Sequence, residues 1–253
     1  MSDSANKSKD TEGNNERAGT RDPDGIIVDG VGIKKIYQQG TVDVPALRGL
    51  DIEIREGEFA VLAGSSGSGK TTLLNLIGAL DQPTEGSLVV DGKDLSRLSG
   101  KELAEMRLRR LGFVFQAYNL VPVLTAYENA EYVLLLQGVA ADERKRRVTE
   151  LLDAVGLSGL SHRRPSELSG GQQQRVAVAR AIAAEPALVL ADEPTANLDS
   201  RTATDLIAMM HLLNQERGVT FLFSSHDPKV IDKAARVIRL EDGRIVDDEQ
   251  RDQ

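Results

Sequence analysis

The chain has 253 residues, 40% of them hydrophobic and 28% charged, which is enough apolar material for one large α/β domain or two small ones. It contains no cysteine, which excludes disulfides, thiolate zinc sites and cysteine-ligated iron–sulfur clusters. The formal charge of −8 argues against a nucleic-acid binder, and no run approaches the roughly 18 apolar residues of a membrane span.

Residues 1–24 are polar, lack the apolar core of a secretory signal and carry acids throughout, unlike a transit peptide. Such a tract buries too little surface to fold and is expected to be a disordered tail, leaving 25–253 as the folded domain. Residues 26–63 read as strands. In "GLDIEIREGE" Leu50, Ile52 and Ile54 alternate with Asp51, Glu53 and Arg55, the period of a half-buried antiparallel strand. "FAVLAG" (59–64) is a continuous apolar run, as in a buried parallel strand. "TTLLNLIGAL" then reads as a helix, and "GSLVVDGKDL" as a strand with an Asp-Gly turn.

From Gly100 the pattern becomes helical: "KELAEMRLRR", "AYENAEYVLLLQ" and "DERKRRVTELLDAVGL", the last with Val148, Leu151, Leu152 and Val155 on one face. One apolar run, "GFVFQ" (112–116), interrupts these helices. The stretch of about 100–165 is therefore expected to be a helical subdomain. Its basic runs "RLRR" (107–110) and "ERKRR" (143–147) are read as solvated helix faces. After Leu168 strands and helices alternate again. "ALVLAD" and "VTFLFSSH" are strands, with the helix "TATDLIAMMHLLNQERG" between them stopping at Gly218. "ARVIRLEDGRIVDD" carries a hairpin signal. The expected architecture is α/β, a mostly parallel core sheet flanked by helices, with an antiparallel β edge and a helical subdomain.

Two stretches carry chemistry on their own residues. "GSSGSGKT", Gly64 to Thr71, fits G-x-x-x-x-G-K-[ST] and sits between a predicted strand and a predicted helix. Its glycines let backbone N–H groups wrap phosphates, Lys70 brings a compact charge to the β- and γ-phosphates, and Thr71 brings a hydroxyl to Mg²⁺. No Asn-Lys-x-Asp run with the right context selects guanine. "ALVLADEP" ends a buried strand in two carboxylates: Asp192 is placed to hold Mg²⁺ through water, and Glu193 to orient or deprotonate an attacking water. A third stretch, "LSGGQQQR" (168–175), reads as the bare N-terminus of a helix, suited to an anion.

"GSSGSGKT", "LSGGQQQR" and "LADEP", in that order and spacing, resemble the nucleotide-binding domain of an ATP-binding-cassette (ABC) transporter, a P-loop NTPase fold, over about residues 26–247. The resemblance implies ATP and Mg²⁺ as cofactors. It implies nucleotide contacts from Gly64, Ser65, Ser66, Gly67, Ser68, Gly69, Lys70, Thr71 and Thr72. Tyr37 in "KKIYQQG" matches the aromatic that stacks on adenine. Gln116 matches the glutamine that contacts Mg²⁺ and the γ-phosphate, and His226 the histidine on the γ-phosphate. Asp199 in "ANLDS" matches the aspartate of the dimer-facing loop. Metal ligands would be Thr71, Gln116 and Asp192; the catalytic group would be Glu193, His226, Gln116 and Lys70. In this family the signature Ser169, Gly170, Gly171 and Gln172 serves the nucleotide of a second, head-to-tail cassette. That resemblance implies an ATP-dependent pair with itself or a related ATPase subunit, and a separate integral-membrane permease. It places the chain in the cytoplasm, peripheral on the inner face of the membrane.

"LLNLIGALDQPTEGS", "NLVPVLTAYENAEYVLLLQG" and "LADEPTANLDS" are similar to the lipoprotein-release, macrolide-export and cell-division group of these ATPases. Ser65 stands where many relatives have proline, and Ala196 where this group often has glycine. An export or lipoprotein-release function is expected. The alternatives are a division-type ATPase that transmits force without moving a substrate, and a soluble ABC ATPase acting on DNA or ribosomes. The second fits poorly with the acidic charge and the lack of a long coiled-coil insertion. His162 and His211 match nothing in the pattern and read as structural.

Overall fold

The computed structural model describes residues 25–251; the polar tract read as a tail lies outside them. The chain builds two sheets. The first is four-stranded and antiparallel, in the order β2-β1-β4-β5. It comprises β1 (Ile26–Gln39), β2 (Val42–Arg55), β4 (Glu85–Val90) and β5 (Lys93–Asp94). The second is six-stranded, in the order β10-β9-β3-β8-β7-β6. It holds β3 (Phe59–Ala63), β6 (Leu111–Phe115), β7 (Leu188–Asp192), β8 (Phe221–Ser225), β9 (Arg236–Glu241) and β10 (Arg244–Gln250). Every pair in it is parallel except the β9–β10 hairpin at one edge.

The strand sequences explain these placements. In β2 the alternating Leu50, Ile52 and Ile54 are buried, so one face of the antiparallel sheet packs inward. All of β3 is buried, because the six-stranded sheet is covered on both sides. Phe59, Val61 and Ala63 join one core while Ala60 and Leu62 join the other. Each fully buried large apolar side chain contributes roughly 1.5–3 kcal/mol relative to exposure. On one side lie α1 (Lys70–Ile77) and α2 (Gly100–Arg109), with the antiparallel sheet. On the other lie α3 (Ala126–Leu136), α4 (Ala141–Ala154), α5 (Gly170–Ile182), α6 (Ser200–Arg217) and the short α7 (Pro228–Ile231).

The 100–165 stretch is not one helical body. Leu111–Phe115, the run that interrupts it, is an edge strand of the central sheet paired in parallel with β7. Met106 of α2 shares its core with α1. The inserted helical part is α3 and α4, packed with α5 in the opposite core. Most of the arginines in both basic runs are ion-paired. Arg109 binds Glu105, Arg110 binds Asp91, Arg146 binds Glu143 and Glu150, and Arg147 binds Glu143. Among the described residues no helix is long and apolar enough to cross a membrane.

The Asp-Gly turns form as their chemistry demands. Asp242 and Gly243, between β9 and β10, have φ of 46° and 75°, the paired positive angles of a type I′ hairpin turn. This turn also reaches across the fold. The Gly243 amide donates to the Ser68 carbonyl (3.0 Å), and the Gly243 carbonyl accepts from the Arg48 amide (2.9 Å).

Candidate nucleotide-binding site

β3, β8 and β7 are parallel neighbours, so their carboxyl ends open on one edge of the sheet, where ligands bind in open α/β folds. The loop Gly64–Gly69 leaves β3 there and turns into α1. A side chain at Gly64 is excluded: its Cβ would lie 2.3 Å from the Leu240 carbonyl oxygen. Gly69 caps α1 at φ 108° without a side-chain hydrogen bond. The first-turn amides of α1 at Lys70 and Thr71 thus have no acceptor among the described residues, as in an anion site.

Lys70 is 6% exposed and donates through Nζ to the carbonyls of Gly64 (2.8 Å) and Ser65 (2.9 Å). The same nitrogen lies 3.9 Å from Glu193 Oε1. Thr71 Oγ1 donates to Asp192 Oδ1 (3.1 Å), joining the loop to the end of β7. Glu193 follows with φ +45°, a left-handed angle unusual for a residue with a Cβ. His226 Nδ1 lies 2.9 Å from Glu193 Oε1. A carboxylate only accepts, so Nδ1 carries the proton and Nε2 is left for another partner. Lys70, Thr71, Asp192, Glu193 and His226 therefore form one connected group.

Gln116 comes just after Phe115, which pairs in register with Asp192, so it reaches the same edge of the sheet. Its exposed side chain makes no hydrogen bond to the Lys70–Glu193 group among the described residues; its carbonyl accepts from Asn197 Nδ2 (2.9 Å). The hydroxyl of Ser68 faces inward beside Gly64, buried and without a partner, so Ser68 contributes its backbone to the loop and not its side chain. Ser65, Ser66 and Gly67 are exposed, and Thr72 is half-buried.

Tyr37 is held by its hydroxyl, which donates to Asp81 Oδ2 (3.0 Å) and is also reached by Thr72. Lys35 Nζ sits 5.0 Å from the ring centroid and donates to Asp81 Oδ1 (2.6 Å). Burial, reinforced by Asp81, raises the Tyr37 phenol above its ordinary value, so it stays neutral. Burial pushes the Asp81 carboxyl up, but hydrogen bonds from Lys35, the Gln82 amide and Tyr37 outweigh this and hold it below its usual value.

The signature helix start is bare in part: the Gly170 and Gly171 amides have no acceptor among the described residues, while its other amides are capped. Ser169 and Gln172 form a capping box: Ser169 Oγ accepts from the Gln172 amide (3.3 Å), and Gln172 Oε1 accepts from the Ser169 amide (2.9 Å). Asp199 likewise caps α6, accepting from the amides of Arg201 (3.1 Å) and Thr202 (3.0 Å). The Thr202 hydroxyl and amide, then the Arg201 amide, hold the Asp199 carboxyl below its ordinary value. A Cβ on Gly171 would lie 2.4 Å from Thr202 Cγ2, so α5 and α6 meet tightly at their starts. No hydrogen bond or ion pair joins Ser169–Gln172 to the 64–71 loop among the described residues.

Sequence reasoning missed four polar residues that brace this edge: Ser224, Asn197, Arg180 and Asp81. Arg180 donates to the carbonyls of Tyr118 (3.0 Å) and Asn119 (2.5 Å), two consecutive left-handed residues after Gln116. Ser224 stands two places before His226, but nothing local marks its partners, which are some thirty residues away. The hydroxyl of Thr71 and the carboxylate of Asp192 are hard oxygen donors on an open edge, a fit to Mg²⁺. Among the described residues no three His, Cys, Asp or Glu side chains cluster to hold a metal unaided.

A family profile described as ABC transporter matches residues 47–196. An uncharacterized ABC transporter ATP-binding protein of Thermotoga maritima is 48% identical over 225 residues, covering 89% of this chain and 96% of that relative. The lipoprotein-releasing system ATP-binding protein LolD of Anaeromyxobacter dehalogenans is 48% identical over 218 residues, covering 86% and 91%. The macrolide export ATP-binding/permease protein MacB of Rhodopirellula baltica is 46% identical, but this chain spans 32% of its length and 86% of its own. Among solved structures, a dimeric ATP-binding cassette in a post-hydrolysis state with ADP and phosphate aligns at TM-score 0.82 and 40% identity, covering 89% of this chain and 99% of that one. Loop, paired carboxylates, histidine and capped signature helix thus occur together with extensive similarity over most of the sequence, and the chain belongs to the ABC transporter family.

Proposed function

We propose that this chain is the ATP-binding and ATP-hydrolysing subunit of a transporter whose permease is a separate membrane polypeptide. The observation that carries this reading is the connected group Lys70, Thr71, Asp192, Glu193 and His226 at the carboxyl ends of three neighbouring strands. The free amides of α1 receive the phosphates, and Lys70 exchanges the Gly64 and Ser65 carbonyls for phosphate oxygens. Thr71 and Asp192, with Gln116, would hold Mg²⁺, which would supply positive charge to neutralise the phosphates. Glu193 orients the attacking water and accepts its proton, and His226 keeps that carboxylate aimed through its Nδ1–H. Tyr37 offers its ring to adenine, and Ser169, Gly170, Gly171, Gln172 and Asp199 meet the nucleotide of a second cassette.

The similarity to LolD and MacB supports an export or lipoprotein-release role. Val121, Val123, Tyr132, Leu135 and Leu136 are exposed on α3 and the loop before it, and supply an apolar face for the permease. The chain then sits at the cytoplasmic face of the membrane. The test is nucleotide binding and turnover by the purified chain. Lys70→Ala is expected to abolish tight Mg-ATP binding; unchanged affinity refutes the assignment. Glu193→Gln is expected to bind ATP and to hydrolyse it at least roughly 10²-fold more slowly, the scale of a lost general base. Near-normal turnover would place the water on another group.

A further inference from the structure

Ser224 is fully buried near the end of β8. Along this strand Phe221 and Phe223 enter one core and Leu222 the other, so Ser224 points with Leu222 toward α1 and the phosphate loop. A serine hydroxyl in that position is costly unless it is bonded. Here it is used in both directions. Ser224 Oγ donates to Asp192 Oδ1 at 2.7 Å and accepts from the Glu193 amide at 2.9 Å.

We propose that Ser224 is a positioning residue for ATP hydrolysis, fixing the Asp192 carboxylate and the Glu193 backbone through one hydroxyl. The proposal rests on the ATPase reading above. Two observations give it weight. Glu193 is in the left-handed region, and the amide that Ser224 accepts from is the one at that residue. Thr71 also donates to Asp192 Oδ1, but over the longer distance of 3.1 Å and from an exposed residue, whereas Ser224 is sealed in the core and donates at 2.7 Å. Ser224 is therefore the donor that is shielded from water. Partners that orient metal-ligating carboxylates typically matter 10–100-fold for metal affinity or activity.

The test uses Ser224→Ala and Ser224→Cys in the full chain. Cysteine is close to serine in size and bonds weakly, so it answers the question if the alanine variant fails to fold. ATP affinity without Mg²⁺ is expected to stay within about twofold of wild type, because the phosphate loop is untouched. With Mg²⁺, kcat is expected to fall roughly 10-fold and the Mg²⁺ concentration for half-maximal turnover to rise similarly, while KM for ATP at saturating Mg²⁺ changes less. A crystal structure of either variant is expected to show the Asp192 carboxylate or the Glu193 backbone displaced. Turnover and Mg²⁺ dependence within about twofold of wild type would overturn the proposal. So would unmoved Asp192 and Glu193, or loss of Mg²⁺-free ATP binding, which would mark Ser224 as general packing. Turnover by the wild-type chain tests the ATPase reading itself, and the variant crystal structure tests Ser224 without any turnover.

Discussion

Glu193 concentrates the residue-scale argument. A non-glycine residue at positive φ costs of order 1–3 kcal/mol and persists only where its surroundings enforce it. Those surroundings are the Ser224 hydroxyl on its amide and His226 on its carboxylate. Lys70 tells a complementary story: buried, it satisfies its charge on two carbonyls of its own loop while standing 3.9 Å from Glu193 Oε1. Tyr37 is different, because its partners are Asp81, Lys35 and Thr72, none of them in the Lys70, Thr71, Asp192, Glu193 and His226 group. Tyr37→Ala is therefore expected to weaken ATP binding by the equivalent of about 1–3 kcal/mol of lost stacking. Maximal turnover at saturating ATP should be nearly unchanged. Steady-state kinetics decide: a large fall in kcat at unaltered KM would make Tyr37 a structural aromatic.

At the element scale the phosphate loop is supported from behind by the β9–β10 turn. A Cβ on Gly243 would stand 2.5 Å from the Ala46 carbonyl oxygen, and its φ of 75° disfavours any side chain. Gly243→Ala should lose about 1–3 kcal/mol of stability, read as a fall in Tm of about 2–4 °C per kcal/mol, with ATP affinity reduced as the Ser68 contact loosens. An unchanged Tm would mean that the turn is not holding the loop. The elements themselves were largely legible in the sequence. Period-two burial in β2, the unbroken apolar run of β3, and both Asp-Gly turns follow from local patterns. β6 was harder, because a five-residue apolar run carries no local mark of which sheet it joins. The loop and the Asp192–Glu193 pair were legible from their own residues and context, and His226 only through the family resemblance. Ser224, Asp81 and Arg180 were not, because each acts through a partner distant in sequence. The capped state of the signature helix was readable from Ser169-x-x-Gln172, a capping-box pattern that an anion-site reading passes over.

At the scale of the whole molecule, no hydrogen bond among the described residues joins the signature helix start to the phosphate loop of the same chain, and two similar solved cassettes are dimers. If Ser169–Gln172 meets a neighbour's γ-phosphate, Glu193→Gln alone should dimerise with Mg-ATP, because closure is allowed and hydrolysis is slow. Ser169→Arg combined with Glu193→Gln should bind ATP and stay monomeric on sizing chromatography. Dimerisation of the double variant would remove the signature from the partner's site. The strand order carries a further consequence, for the chain's manufacture. β3, which launches the phosphate loop, has β8 and β9 as its two neighbours in the sheet, and these are encoded more than 150 residues later. At roughly 5–20 residues per second, the glycine-rich loop leaves the ribosome many seconds before either flanking strand exists. The nascent chain therefore carries a nucleotide motif without a nucleotide site, and ATP cannot reward folding until β8 and β9 have been made.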